Sequence, residues 1–137
     1  MWSTIELPVT GETLAAAQGL RVPAGTPVEG WSAYRDGKIE IQDLGSQLAA
    51  QAVGARPGET VVDLCAGAGG KTLALAAEMV GRGRIVACDA DRARLSRLAP
   101  RAARAGIAII EERLLDGGRE AEALKDLAGV ADAVLID

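Results

Sequence analysis

The sequence predicts an α/β fold built around a parallel sheet. Four short apolar runs follow one another along residues 60–137, and stretches with helical periodicity separate them. Runs that are apolar on both faces and alternate with helices are typical of strands buried in a parallel sheet. A glycine-rich loop directly after the first run is the second indication, because strand, glycine turn and helix form the first half of a nucleotide-binding unit. We therefore expect a Rossmann-like sheet with right-handed crossovers.

Each apolar run is a predicted strand, and the patterned stretches around them are predicted helices. In chain order the strands are Thr60–Cys65, Arg84–Asp89, Ile107–Ile110 and Asp132–Asp137. The helices cover residues 44–53, 71–80, 91–105 and 119–127, and N-cap candidates for the first of them are Asp43 and Ser46. Pro100 lies inside the third helix. Because proline removes a backbone donor and clashes with the preceding turn, we expect that helix to kink or split near residues 98–99.

The first 42 residues carry a weaker pattern. Glu12–Gln18 is compatible with a short helix. Residues 28–42 predict a β-hairpin, because two short segments flank Asp36-Gly37 and both positions of an Asp-Gly turn tolerate positive φ. We therefore expect a small N-terminal hairpin ahead of the main sheet.

Composition narrows the range of functions. The 137 residues carry a formal net charge of −4 and contain no histidine, which excludes a Ser-His-Asp triad, a histidine base and any histidine metal ligand; we predict no metal site. Two cysteines are too few for a disulfide scaffold and indicate a reducing cytoplasm. No apolar run approaches the length of a membrane span, and the N-terminus lacks the pattern of a signal peptide.

The glycine-rich loop narrows the choice of ligand. A phosphate-binding P-loop is rejected because Cys65 stands where the motif requires its first glycine, although Gly70, Lys71 and Thr72 match its end. The dinucleotide fingerprint is matched only in part, since Thr72 occupies the position of its third glycine.

A loop for S-adenosylmethionine fits the pattern better. Asp63 ends the first predicted strand, Gly67 and Gly69 follow in the loop, and Asp89 ends the second strand 20 residues after Gly69. That spacing suits a carboxylate that accepts hydrogen bonds from ribose hydroxyls. The same carboxylate would serve NAD, so a fragment of an NAD-binding oxidoreductase stays open. A non-catalytic binding or assembly module with this fold stays open as well.

Several motifs in order resemble the RsmB/Sun (Fmu) family of S-adenosylmethionine-dependent RNA (cytosine-5) methyltransferases. "VVDLCAGAGGKT" is similar to the family's first motif, and "IEIQDLGSQLAA" upstream resembles its Q-D-x-x-S-x-L helix start. Downstream, "RIVACDADRARLSRL", "RLLDGG" and "DAVLID" resemble the second motif, the third motif and the opening of the fourth. The resemblance covers roughly residues 28–137. It implies a class I methyltransferase fold with strand order 3-2-1-4, residues 1–42 as a remnant of the family's N-terminal region and residues 43–137 as the first half of the cofactor domain.

The resemblance also implies roles for individual residues. Asp89 would hold the ribose hydroxyls, Asp116 would lie by the adenine amino group, and Asp137 would lie near the sulfonium and the incoming base. Arg94 would support the Asp89 carboxylate that holds the ribose. The loop that would wrap the methionine and ribose end of the cofactor consists of Cys65, Ala66, Gly67, Ala68, Gly69, Gly70 and Lys71.

Two departures from the family pattern matter. Gly67 and Ala68 replace the usual Ala-Pro, so we expect a more flexible loop. The family's two catalytic cysteines belong to motifs beyond residue 137, and neither Cys65 nor Cys88 takes their place by motif position. We therefore expect a piece of a longer cytoplasmic enzyme that acts on RNA, with ribosomal RNA of the 16S type as its substrate, and no catalysis by this chain alone.

The sequence also predicts two features of the surface, an exposed strand and a row of arginines. Residues 132–137 would form an exposed apolar edge that invites self-association. Four arginines recur at helical spacing and are interpreted as a solvated helix face in preference to a surface for RNA phosphates; they are Arg94, Arg97, Arg101 and Arg104.

Overall fold

The computed structural model describes the backbone of residues 12–13 and the whole of residues 18–137. Two short strands, β1 (Glu12–Thr13) and β2 (Leu20–Arg21), pair antiparallel. The helix predicted over Glu12–Gln18 is wrong at its start, where β1 lies, and its residues 14–17 are outside the described residues.

A four-stranded parallel sheet forms the centre of the fold, in the order β5-β4-β3-β6. Its strands are β3 (Thr60–Asp63), β4 (Arg84–Asp89), β5 (Ile110–Leu114) and β6 (Ala133–Leu135). This is the predicted order 3-2-1-4, so the Rossmann-like fold class is confirmed. The central strands β3 and β4 are almost entirely buried, as expected for strands covered on both faces.

In the described part of the chain, six short α-helices and two 3₁₀ segments lie before and between the strands of this sheet. The α-helices are α1 (Ser32–Arg35), α2 (Leu44–Val53), α3 (Gly70–Glu78), α4 (Arg92–Leu95), α5 (Leu98–Arg104) and α6 (Glu120–Ala123). The 3₁₀ segments are Val28–Gly30 and Lys125–Leu127. None of the helices in the described part of the chain has the length and apolarity that a membrane span requires.

The hairpin predicted over residues 28–42 is wrong. That region holds a 3₁₀ turn and α1, and Gly37, with φ of +70°, follows the C-terminal end of α1. Its N–H donates to the Tyr34 carbonyl, and the Lys38 N–H donates to the Ala33 carbonyl, a pattern that closes a helix. Asp-Gly therefore serves as a helix cap here, because the positive φ that suits a hairpin turn suits this position equally well.

Pro100 has the predicted effect on the helix that contains it. The helix divides into α4 and α5, with the break at residues 96–97, close to the expected 98–99. Pro100 is then the third residue of α5, in the first turn, where its missing N–H would have had no helical acceptor. The last predicted helix is also divided, into α6 and a 3₁₀ turn.

The third predicted strand lies later in the chain than expected. The apolar run Ile107–Ile110 predicts a strand, but β5 begins only at Ile110. Ile107, Ile109 and Ile110 pack against the core clusters, so the run marks the approach to the strand. The strand itself alternates in burial because it is the edge of the sheet.

Alternate residues of the central strands divide the core between the two faces of the sheet. On one face, Ile85 packs with residues of α2 and α3, while Ala87 packs with Leu95 and Leu98 of α4 and α5. On the other face, Val86 belongs to a smaller cluster with Leu127. The loops after the strands are therefore held between well-packed helices.

Candidate cofactor site

The site lies at the edge of the sheet where the parallel strands end. Asp63 and Asp89 are the last residues of β3 and β4, and Asp116 and Asp137 each follow the end of a strand by two residues. Ligands of open α/β sheets bind outside the carboxyl ends of the strands. The topology therefore brings all four predicted acids to one edge, although they are up to 74 positions apart in the chain.

The glycine loop is anchored to this edge through its backbone. The Ala66 N–H donates to the Cys88 carbonyl at 2.8 Å, and the Gly69 N–H donates to the Ala66 carbonyl at 2.8 Å. Gly69 has φ of +87°, and a Cβ atom there would lie 2.1 Å from a methyl carbon of Leu98. Only glycine fits this approach of the loop to α5.

Asp89 holds the loop from the neighbouring strand. One carboxylate oxygen accepts from the Gly67 N–H at 2.7 Å, and the other accepts from the Asp91 N–H at 2.8 Å. The side chain is buried. Each oxygen retains a free lone pair, since a carboxylate accepts about four hydrogen bonds, so Asp89 can orient the loop and still accept from a ligand.

Asp63 closes the base of the loop. Its carboxylate is buried and accepts a hydrogen bond of 2.7 Å from the Thr72 hydroxyl in α3. Burial raises the pKa of Asp63, and the hydrogen bond from Thr72 opposes that shift. The pair connects the end of β3 to the first turn of α3 and thereby fixes both ends of the loop.

A polar cavity of about 390 Å³ lies beside the loop. Six of the seven predicted loop residues line it, together with Asp137; the exception is Gly69, which faces Leu98. Asp89 is bonded to Gly67 but is outside the lining, and Asp116 is exposed and also outside the lining. The Leu115 N–H donates to the Asp89 carbonyl at 2.9 Å, which keeps the residue before Asp116 next to the end of β4.

Cationic side chains give the cavity a positive wall. Lys71 at the start of α3 forms an ion pair with Asp137. The Arg94 guanidinium lies so close to Gly67 that a Cβ atom on that glycine would be 2.7 Å from it. Arg101 donates to the Ala68 carbonyl at 2.7 Å. These groups suit a ligand that carries a carboxylate.

The opposite wall of the polar cavity is formed by residues that were not predicted as site residues. It consists of Ile41, Gln42, Asp43 and Ser46, at and before the start of α2. Asp43 caps α2 as predicted, accepting from the Ser46 N–H at 3.0 Å. The Nε2 atom of Gln42 is buried and, within the described part of the chain, has no hydrogen-bond partner. The sequence signal for this wall was the resemblance of "QDLGS" to a family motif. Nothing in the local pattern predicts that this segment packs against a loop more than 20 residues later.

The two cysteines have different surroundings. Cys65 is exposed and lines the cavity, whereas Cys88 is buried in β4. Burial raises the pKa of the Cys88 thiol to about 11, so this thiol is protonated and inert at neutral pH. The sequence favours a reduced, buried thiol at both positions; the structure has one at Cys88, whereas the burial predicted for Cys65 is wrong.

A second cavity, of about 510 Å³, lies between residues 18–47 and the flank of α3. It is larger and more apolar, and it shares Ile41, Gln42, Asp43 and Gly70 with the polar cavity. Lys71, Arg94, Arg101 and most of the glycine loop line only the polar cavity.

Known proteins resemble this chain in sequence and in structure. A family model described as 16S rRNA methyltransferase RsmB/F matches residues 50–137. A 28S rRNA (cytosine-C(5))-methyltransferase from Mus musculus is 39% identical over 89 residues, covering 65% of this chain and 19% of that protein. A probable ribosomal RNA small subunit methyltransferase B from Synechocystis is 32% identical over 137 residues, covering 98% of this chain and 30% of that protein.

The structural comparison agrees with the sequence comparison. The crystal structure of NSun6 from Pyrococcus horikoshii with SFG has a TM-score of 0.68 and 28% identity, covering 80% of this chain and 27% of that chain. The chain thus spans less than a third of the length of each of these three proteins. The family model matches more than half of the chain, and its first matched residues lie in α2. This chain belongs to the RsmB/F family of 16S rRNA methyltransferases.

Proposed function

We propose that this chain is the S-adenosylmethionine-binding part of an RNA (cytosine-5) methyltransferase that acts on ribosomal RNA. The observation that carries the proposal is the polar cavity at the carboxyl ends of the strands, lined by the glycine loop in a member of this family. The relatives named as rRNA methyltransferases support the substrate class. The relative from Pyrococcus horikoshii, solved with SFG, an analogue of S-adenosylmethionine, supports the cofactor.

The residues present fit such a cofactor. The buried, unpartnered Nε2 atom of Gln42 offers a donor at the cavity. Arg94 and Lys71 supply positive charge for a carboxylate. Asp89 retains lone pairs for hydroxyl groups, and its burial strengthens any hydrogen bond it accepts. When bound, the cofactor would supply an electrophilic methyl group.

We assign the binding roles as follows. Asp89 accepts from ribose hydroxyls, Asp116 lies at the adenine end, and Asp137 with Lys71 lies at the end where the methyl group is presented. The backbone of the loop contacts the methionine and ribose portion, through Cys65, Ala66, Gly67, Ala68, Gly69, Gly70 and Lys71.

Cytosine methylation at C5 needs a thiol that attacks the base, and neither cysteine here fits that role. Cys88 is buried, with a raised pKa of about 11, and Cys65 belongs to the cofactor loop. We therefore propose that this chain holds the methyl donor and that other parts of the enzyme provide the nucleophile and most of the RNA contacts. We also propose that residues 1–42 are a remnant of the family's N-terminal region, that residues 43–137 are the first half of the cofactor domain, and that the enzyme is cytoplasmic.

Isothermal titration of the chain with S-adenosylhomocysteine and, separately, with NAD tests the cofactor assignment. We expect saturable binding of S-adenosylhomocysteine at one site, weaker by about tenfold or more in Asp89→Ala, because the variant loses a carboxylate that holds both the loop and the ribose. Asp91→Ala is the matched control, since its acid is exposed and caps α4. Binding of NAD without any response to S-adenosylhomocysteine would refute the assignment.

A methyl-transfer assay on ribosomal RNA tests the second half of the proposal. We expect no incorporation of methyl groups by this chain, even when the methyl donor is bound. Measured transfer to cytosine C5 would mean that Cys65 or another group of this chain acts as the nucleophile, and the proposed division of labour would be wrong.

A further inference from the structure

Arg101 connects the glycine loop to a segment that precedes α2. Its guanidinium donates to the Ala68 carbonyl at 2.7 Å and to a carboxylate oxygen of Glu40 at 2.9 Å. The side chains of Arg101 and Glu40 are 23% and 21% exposed, so the pair is shielded from solvent far more than a typical surface ion pair. The sequence predicts a solvated arginine face. That prediction is confirmed for Arg94 and Arg97, which are exposed, but not for Arg101.

Glu40 is itself fixed to α5 by further contacts. Its other oxygen forms an ion pair with Arg104, and the Arg104 guanidinium lies 4.2 Å from the centre of the Tyr34 ring. Gly37 packs so closely on α5 that a Cβ atom there would be 2.1 Å from the Arg104 carbonyl oxygen. Residues 34–40 therefore pack against α5, beside the Arg101 side chain.

The loop position that Arg101 contacts is one where backbone restraint matters. Ala68 stands where the motif that this loop resembles has proline, so the loop lacks that restriction of φ. The Gly67 and Gly69 amides on either side are bonded to Asp89 and Ala66. The Arg101 contact restrains the carbonyl between them from outside the loop.

We propose that Arg101 is a positioning residue of the cofactor loop and that Glu40 orients it. The ion pair holds the guanidinium against the Ala68 carbonyl, and the loop keeps the shape that a ligand needs before the ligand arrives. Glu40, which is outside the lining of the polar cavity, thereby affects ligand affinity without contacting the ligand. The effect on S-adenosylmethionine rests on the proposed function; the effect on the free loop does not.

Amide hydrogen exchange of the free chain tests the positioning role directly. We expect the amides of residues 67–70 to exchange about tenfold faster in Arg101→Gln than in the wild type, because the loop opens more easily without its external restraint. Arg104→Gln is the matched control: it also loses a bond to Glu40 but has no contact with the loop. Its loop amides should exchange within about twofold of the wild-type rate.

The affinity for S-adenosylhomocysteine provides the second readout. We expect about tenfold weaker binding in Arg101→Gln and in Glu40→Gln, no further loss in the double variant, and wild-type binding in Arg104→Gln. Glu40→Gln keeps the shape of the side chain and serves if Arg101→Gln does not fold. Equal effects of the Arg101 and Arg104 variants on loop exchange, or no effect of either, would overturn the inference. If the wild type binds no S-adenosylhomocysteine, the proposed function fails while hydrogen exchange still decides the role of Arg101.

Discussion

At the scale of single residues, the buried polar side chains at the loop are matched to specific partners. Asp63 and Thr72 bond to each other, and Asp89 bonds to the Gly67 and Asp91 amides. A buried carboxylate without such partners would be strongly destabilising. These acids were predictable as site residues because each ends a strand. The hydrogen bonds that they make within the free protein were not predictable, because those bonds depend on the geometry of the loop.

Thr72→Val tests the bond that closes the loop. The variant keeps the shape of the side chain but leaves the buried Asp63 carboxylate without its hydroxyl donor, so we expect a loss of about 1–3 kcal/mol in the free energy of unfolding at pH 7. Thr72→Ser, which retains the hydroxyl, should lose less. Urea denaturation measures both.

The pH dependence of this loss has a definite sign. Burial raises the pKa of Asp63 above its usual 3.8, so the folded state favours the protonated acid, and the contribution of Asp63 to stability falls as pH rises through that pKa. Loss of the Thr72 hydroxyl raises the pKa further. The destabilisation by Thr72→Val should therefore be larger at pH 7 than at pH 4, and an equal or smaller loss at pH 7 would contradict the assigned bond.

The two cysteines should react at very different rates. Cys88 is fully buried and its pKa is raised to about 11, whereas Cys65 is exposed at the cavity. Alkylation with iodoacetamide at pH 8, followed by peptide mass spectrometry, should modify Cys65 in the native chain and Cys88 only after denaturation. Comparable labelling of both in the native chain would show that β4 is not packed as described.

At the scale of elements, the ends of helices show where local pattern and actual structure differ. The residue after the C-cap of α3 is Val80, which has φ of +53°. Its N–H donates to the Ala77 carbonyl and the Gly81 N–H donates to the Ala76 carbonyl, a helix-closing pattern in which glycine is the usual residue. A β-branched residue is strained in this conformation, and the strain is local because Val80 is exposed.

Val80→Gly should therefore stabilise the protein. Relief of the left-handed strain is worth about 1–2 kcal/mol, and the burial lost is limited to about half of the residue because Val80 is 48% exposed. Chemical denaturation should give a higher midpoint for Val80→Gly than for the wild type. Val80→Ala is the control: it removes the same exposed atoms and keeps a Cβ, so it should gain less. A lower midpoint for the glycine variant would refute the strain.

At the scale of the whole molecule, the sheet follows closely from local pattern and the site only in part. Buried parallel strands such as β3 and β4 are continuous apolar runs, so their positions were predictable, whereas the order of the strands was implied by the family resemblance. Asp36-Gly37 led to the wrong prediction of a hairpin, because positive φ suits both a hairpin turn and the C-terminal end of a helix. The wall formed by residues 41–46 and the contact from Arg101 to Ala68 arise from packing between distant parts of the chain, which periodicity does not encode.

The open edge of the sheet has a consequence for the assembled state. Val134 of β6 is 51% exposed on the edge strand, and unpaired apolar edges promote association. We expect sedimentation velocity to detect self-association that increases with protein concentration and that Val134→Lys reduces. Val80→Lys, at a similarly exposed valine away from the edge, should not reduce it. Equal association of wild type and Val134→Lys would exclude this edge as the contact.

The central claim is that the glycine loop holds the methyl donor. Amide hydrogen exchange of the wild-type chain, with and without saturating S-adenosylhomocysteine, tests it most directly because the measurement locates the ligand as well as detecting it. We expect slower exchange in residues 65–71 and at the ends of β4 and β5, with little change in α6. Protection confined to the larger cavity beside residues 18–47, or no protection anywhere, would contradict binding of the methyl donor at the glycine loop.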